Sequence, residues 1–210
     1  RKTELEAEIG AQRQVFAKAC EALTAKRSEA APAFARSIEE SVRFLELDRA
    51  VFEVRLTDAP AGPDGAEDVT FAFSSTGINP IDVGKCASGG EISRIMLCLK
   101  AMMARFTGMP TLIFDEIDTG VSGSAADKMG SMICSMGDDM QVFSITHLPQ
   151  VAAKGKAHYA VSKASDAAGR VYSRIDRLSD SQRVEEIARL LSGSSITPEA
   201  LANARRLLGK

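Results

Sequence analysis

The sequence predicts an α/β fold with a mostly parallel sheet flanked by helices, plus an N-terminal helical segment of coiled-coil character. A short continuous apolar run, Thr111 to Phe114, has the pattern of a buried parallel strand, and Gln141 to Thr146 reads as a second one. A helical stretch from about Ser124 to Met136 lies between them. Ahead of both, residues 1–46 are nearly free of glycine and carry a helical apolar stripe.

Within that first segment Leu5, Ile9, Gln12, Phe16, Ala19 and Leu23 are spaced alternately four and three apart, the seam of a coiled coil. An amphipathic helix packed on its own domain would show a similar stripe. Pro32 predicts a new helix start or a kink, and Phe34, Ile38, Val42 and Leu45 then resume the stripe. From Ala50 the period falls to two. Phe52, Val54 and Leu56 alternate with Glu53, Arg55 and Thr57, and Val69, Phe71 and Phe73 alternate again beyond a Pro-, Gly- and Asp-rich stretch from Asp58 to Asp68. The pattern is that of a hairpin with a long loop. A helix over Glu91 to Phe106 places Ile92, Ile95, Met96, Leu99, Met102 and Met103 on its inner face, with the methionines as core filler.

Beyond the two apolar strands, Tyr159 to Ser162 and Val171 to Leu178 alternate and are expected to extend or edge the sheet. Val184, Ile187, Ala188, Leu190 and Leu191 make a helix that stops at Gly193. The last helix has a strong start: Thr197 as N-cap, Pro198 in the first helical position and Glu199 in the first turn.

Composition narrows the function classes. A chain of 210 residues, 45% hydrophobic, buries one good core, so one main domain with an appendage is expected. A formal net charge of −2 gives no basic excess, so contact with DNA has to come from local patches or from parts outside this chain. No apolar run approaches the length of a membrane span, and no signal-peptide pattern opens the chain. Cys20, Cys86, Cys98 and Cys134 show no C-x-x-C pairing and no histidine at metal spacing, as expected of free thiols in a reducing cytoplasm. The chain begins at Arg1 rather than Met, as a piece of something longer would.

Four clusters carry the chemistry. Asp115 and Glu116 end the first apolar strand, where open α/β sheets bind ligands, and adjacent acids there point to different sides. One can hold Mg²⁺, which needs only one or two protein carboxylates, while the other faces a water; a solvated acidic turn is the simpler alternative. Ser88-Gly89-Gly90-Glu91 opens a helix and presents bare N–H groups and the positive dipole end to an anion, although a plain capped turn has the same composition. His147 follows the second apolar strand at the same sheet edge, either as a hydrogen-bond donor to a terminal phosphate or as a structural histidine. Asp118 to Gly123, with Gly120 and Ser122, is a polar, glycine-rich loop suited to close backbone approach. It is no nucleophile elbow, since Gly120-Val121-Ser122-Gly123-Ser124 lacks the second glycine at the required offset. The phosphate loop G-x-x-x-x-G-K-[ST] is missing: Gly84-Lys85, Gly155-Lys156 and Gly209-Lys210 all fail it.

Taken in order, these clusters resemble a known family. Ala87 to Arg94 is similar to the signature motif of ABC-type ATPases, a branch of the P-loop NTPases, in its SMC-like form. Thr111 to Glu116 resembles their Walker B strand with its catalytic glutamate, Asp118 to Gly123 their D-loop, and His147 their switch histidine. The stretches Phe114 to Gly123, Thr146 to Ala152 and Glu186 to Gly193 resemble the bacterial RecN family within that group. The resemblance implies the C-terminal lobe of an ATPase head, residues 47–210, with residues 1–46 as the returning helix of a coiled coil and its connection to the head. It implies ATP and Mg²⁺ as ligands, with Ser88, Gly89, Gly90 and Glu91 serving ATP held by a partner head. Asp115 would position Mg²⁺ through water, Glu116 would polarise the attacking water, His147 would sense the γ-phosphate, and Asp118 would couple two sites. The implied partners are the chain's own N-terminal lobe, a second copy joined through ATP, and DNA, in a nucleoid-associated cytoplasmic setting without membrane. Another ABC or SMC-type head, or a non-catalytic DNA-binding or dimerisation module, remains open at this level.

Overall fold

The computed structural model describes residues 1–86, 88–165, 169–193 and 195–210. Ala87, the first residue of the signature-like stretch, lies outside the described residues. The chain divides into two compact units, Arg1–Ile95 and Met96–Lys210.

The first unit begins with α1 (Lys2–Phe44), a single helix of 43 residues with Pro32 inside it. Of the two outcomes expected at Pro32, a new helix start does not occur, since one helix runs through it. Proline removes one helical N–H and crowds the carbonyl of Ser28, at a cost of about 3 kcal/mol. Burial of the following turns offsets that cost, since Ile38, Val42 and Leu45 are completely buried. The other half of α1 differs. Residues 1–19 are exposed on every side, with Leu5 and Ile9 each 52% accessible, so the seam from Leu5 to Ala19 is not packed on the chain's own domain.

Strands β1 (Val51–Gly62), β2 (Gly65–Ser74) and β3 (Ile81–Asp82) form an antiparallel sheet in that order. Phe52 lies opposite Phe73 and Val54 opposite Phe71. Phe34 of α1 packs on this face, with ring centroids 5.6 Å from Phe71 and 6.1 Å from Phe52. Polar anchors fix the same contact. Glu39 accepts the Phe52 N–H at 3.0 Å, Arg43 donates to the Ala50 carbonyl at 3.1 Å, and Arg27 pairs with Glu67 at 3.0 Å. The long loop expected over Asp58 to Asp68 is absent. Both strands run on, and the chain turns between Gly62 and Gly65, with the register shifting between Asp58 and Gly62. Pro60 falls in that irregular stretch, where a missing ladder donor costs little. Gly65 has φ +108°, a backbone conformation that favours glycine, and a Cβ there would also crowd Leu23 of α1 at 3.0 Å.

Helix α2 (Gly89–Thr107) crosses the division between the units. Ile95 and Leu99 are buried as expected, but so are Leu97, Cys98 and Ala104, while Met103 is 55% accessible. Over 95–99 the helix is covered around most of its circumference, which a single predicted stripe does not capture. Burial raises the Cys98 thiol to about 12, and all four cysteines are free, as their spacing implies.

In the second unit, β4 (Thr111–Asp115) and β5 (Gln141–Ile145) pair in parallel, with α3 (Gly123–Met136) between them in sequence. Phe114 is fully buried, but Ile113, Phe143 and Ile145 are 59%, 45% and 55% accessible. A continuous apolar run predicts cover on both faces; this chain covers one. Helix α4 (Pro149–Ala153) packs on α3 at Gly130, where a Cβ would stand 3.0 Å from the Val151 Cα. Strands β6 (Tyr159–Ser165) and β7 (Val171–Arg177) pair only with each other in the described residues, as an antiparallel sheet of their own, rather than extending the parallel pair. Helices α5 (Asp180–Ser192) and α6 (Pro198–Leu207) close the chain, sharing with α4 a small core of Ala153, Ile187, Ala188, Ala200 and Ala204. Thr197 caps α6 and Gly193 ends α5, both as the sequence predicts.

Arg183 of α5 clamps the segment between α4 and β6. It donates to the Gly155 carbonyl at 2.7 Å and approaches His158 Nε2 at 3.5 Å. Burial, and then the guanidinium beside it, hold His158 below the ordinary imidazole range, against the weaker opposing effect of its bond to the Ala152 backbone. Because the folded pKa lies below the unfolded one, the unfolded chain takes up the proton first, and stability falls as pH drops through the unfolded value of about 6.5. Melting curves at about pH 7.5 and 5.5 should therefore show a loss of Tm on acidification, and His158→Gln should reduce that loss.

Candidate active site

The parallel register brings two of the predicted clusters to one edge of the sheet. Thr111 pairs with Gln141 and Asp115 with Ile145, so both strands end side by side, with Asp115-Glu116 leaving one and Thr146-His147 the other. Parallel strands joined through a helix must end at the same edge, which is the geometric reason that acids and histidine meet from positions some thirty residues apart. The carboxylates of Asp115 and Glu116 and the imidazole of His147 belong to exposed residues at that edge.

Glu116 carries the chain out of the sheet. Its N–H still donates to the Ile145 carbonyl at 3.2 Å, one step beyond the strand, but its φ is +47°. A non-glycine residue in the left-handed region is strained, and such strain concentrates where a side chain must be aimed. The Glu116 carbonyl is fixed from the other side by the Thr119 N–H at 3.2 Å and the Thr119 hydroxyl at 2.9 Å. The turn then closes with Val121 N–H donating to Asp118 O at 3.1 Å. Gly120 and Gly123 both take positive φ, and Ser122 stands at the N-cap of α3 without a side-chain cap bond.

Asp118 faces inward. It is 1% accessible, its Oδ2 accepts the Thr146 hydroxyl, and its Oδ1 is buried without a hydrogen-bond partner. The Thr146 hydroxyl in turn accepts the Leu148 N–H at 2.9 Å. Thr146 was not a candidate in the sequence, because no periodicity relates a hydroxyl to a carboxylate 28 residues away. Its position directly before His147 was the one available signal.

The signature-like cluster belongs to the first unit. Ser88 and Gly89 are exposed and Gly90 is buried. Ser88 O accepts the Ile92 N–H at 3.0 Å, so α2 starts where the pattern predicts, and its first N–H groups have no helical acceptor. A Cβ at Gly89 would meet nothing within 4 Å, which leaves the backbone open to approach. Arg94 ties this turn down by donating to Gly90 O at 2.9 Å and to Leu45 O at 3.0 Å.

The donor set suits a hard cation held sparingly. No group of three or more His, Cys, Asp or Glu forms a metal cage among the described residues. A single exposed carboxylate at a strand end is what Mg²⁺ uses when phosphate and water complete its shell, and Asp115 fits that role. The strain at Glu116 is itself measurable. Left-handed backbone costs about 1–2 kcal/mol, whereas glycine costs about 0.4–1 kcal/mol through the unfolded chain. Glu116→Gly should therefore raise unfolding stability by about 0.5–1 kcal/mol in denaturant titration.

No protein-family model matches the chain. Among curated proteins it is 40% identical over 190 residues to the DNA repair protein RecN of Haemophilus influenzae, covering 89% of this chain and 34% of that protein. With RecN of Vibrio cholerae it shares 38% identity over 207 residues, 97% of this chain and 37% of that protein. With RecN of Halalkalibacterium halodurans it shares 39% over 193 residues, 89% and 34% respectively. The chain thus spans about a third of the length of the curated relatives it matches. Among solved structures, the Smc head domain with coiled coil and joint from Pyrococcus yayanosii superimposes with a TM-score of 0.61 at 19% identity, over 92% of this chain and 33% of that one. A chain from work on ATP-driven dimerisation and DNA-stimulated activation of SMC ATPases gives 0.57 at 17%, over 87% of this chain and 99% of that one. The fold is that of SMC head domains, and the chain is a relative of the bacterial DNA repair protein RecN.

Proposed function

We propose that the chain is the C-terminal lobe of a RecN-like ATPase head acting in DNA double-strand break repair and recombination. Residues 47–210 form the lobe, and residues 1–46 are the returning helix of a coiled coil. ATP lies between two heads, each ATP held by the phosphate loop of one subunit and the signature of the other. The observation that carries this reading is the shared strand edge, where Asp115, Glu116 and His147 come together in a relative of RecN.

In this mechanism the N–H groups of Ser88, Gly89 and Gly90, with Glu91 in the first turn of α2, receive the γ-phosphate of the partner's ATP. They do so because a helix start offers unsatisfied donors and a positive dipole end. Asp115 holds Mg²⁺, through water, and the ion when bound neutralises charge on the phosphate oxygens. Glu116 accepts a hydrogen bond from the attacking water and orients it in line with the γ-phosphorus. Glu116 leaves the sheet through a left-handed backbone, at the strand edge that also carries His147. His147 donates to a γ-phosphate oxygen. Asp118, Gly120 and Ser122 belong to the loop that links the two sites. Phosphate release lets the heads part, and the coiled coil carries that change to DNA.

Two outcomes test this. In the full-length protein, Glu116→Gln should reduce turnover by about 10³-fold or more while ATP-bound dimers accumulate in size-exclusion chromatography. Wild-type turnover in that variant would remove Glu116 from the role. The 210-residue chain alone should hydrolyse no ATP above the buffer blank, because it contains no G-x-x-x-x-G-K-[ST] loop to cradle the β-phosphate. Robust turnover by the purified chain would overturn the split-site reading.

A further inference from the structure

The Asp118–Thr146 contact has no part in the chemistry described so far, yet it engages a carboxylate that is almost completely buried. A carboxylate at 1% accessibility with one oxygen unpartnered is costly, and in a folded protein such a group calls for a reason. A purely structural tie across this turn needs no charge, because a neutral side chain would accept the Thr146 hydroxyl as well. The bonds around that hydroxyl show what the charge accomplishes. A hydroxyl has one proton to give, and Asp118 takes it. The hydroxyl's lone pairs are then directed at the Leu148 N–H, 2.9 Å away, and the charged acceptor strengthens that second bond through polarisation. The residues on both sides of His147 are thereby fixed, while the imidazole between them stays exposed.

A second cross-link runs beside the first. Glu116 N–H bonds to Ile145 O at 3.2 Å, so the turn after β4 is stitched to the end of β5 at two successive points, Glu116–Ile145 and Asp118–Thr146. Beyond Asp118 the loop continues through Gly120 and Gly123, both at positive φ, as far as α3.

The geometry points to Asp118 and Thr146 as a positioning couple that ties the Asp118–Gly123 loop to His147, so that displacement of the loop carries the histidine with it. This rests on the proposed role of His147 at the γ-phosphate, and it supplies a route by which the loop reaches that residue within one chain. Neither Asp118 nor Thr146 touches nucleotide. Both act by fixing the backbone at 146–148.

The test uses steady-state ATP hydrolysis by the full-length protein, with Tm measured for every variant. Thr146→Val, which exchanges the hydroxyl for a methyl, should lower kcat about tenfold or more with KM for ATP within about threefold of wild type. Thr146→Ser should restore most of that loss. His147→Ala should be impaired, and adding Thr146→Val to it should cost less than about twofold more, because the couple acts only through the imidazole. If the valine variant proves unfolded, Asp118→Ala, which removes the acceptor of the Thr146 hydroxyl, replaces it in the same cycle with the same expected non-additivity. Independent, multiplying losses would assign Thr146 a merely structural role and overturn the inference. So would wild-type kcat in Thr146→Val or Asp118→Ala beside an impaired His147→Ala, while the role of His147 stood. Wild-type turnover in His147→Ala would instead remove the reading on which the inference rests, and the inference with it.

Discussion

The parallel pairing of β4 with β5 is the constraint on which the candidate site depends. It brings the carboxyl ends of two strands to one edge, and everything with chemical potential in the second unit is anchored there. Glu116 leaves one strand and His147 the other, and the two ends are joined by the Glu116–Ile145 and Asp118–Thr146 bonds. A one-residue slip of the register would move Asp115 to the opposite face and break both links, because side chains alternate along a strand. Burial of Phe114 resists that slip, since Ile113 or Asp115 would otherwise take its place in the core.

Stability and site geometry pull against each other at this edge. Glu116 holds a left-handed backbone and Asp118 buries a carboxylate with an unpartnered oxygen, each unfavourable taken alone. The surrounding unit offsets these costs with ordinary packing: Ala126 and Met129 fully buried in α3, the close approach of α4 at Gly130, and the α5–α6 core around Ile187 and Ala204. Well-packed helices on either side of the loop thus hold residues in conformations that they would not adopt unaided.

The first unit shows the same division of labour along α1. From Phe34 onward the helix is fixed by the aromatic contacts with Phe52 and Phe71 and by the Glu39 and Arg43 bonds to the start of β1. Its opening 19 residues touch nothing that buries them. A continuous helix across Pro32 joins these halves. The buried turns after Pro32 are what make that continuity affordable in free energy.

Local chemistry alone determined much of this protein. Helix boundaries were legible wherever a cap or breaker fixes the backbone, as at Thr197-Pro198, Gly193 and the Ser88-Gly89-Gly90 start of α2. The strands of Phe52 to Leu56, Thr111 to Phe114 and Gln141 to Thr146 were legible from period and apolar runs, and Asp115, Glu116 and His147 from their places after such strands. What tertiary structure decided are the features that depend on distant partners. The 62–65 turn replaced a long loop because Gly65 fits beneath α1, and Pro32 stayed helical because later turns are buried. Strands β6 and β7 chose each other over the parallel pair. The inward turn of Asp118 onto Thr146 belongs with these. Periodicity reports which face of an element is apolar, but it carries no information about which hydroxyl will meet which carboxylate once two strand ends are brought together.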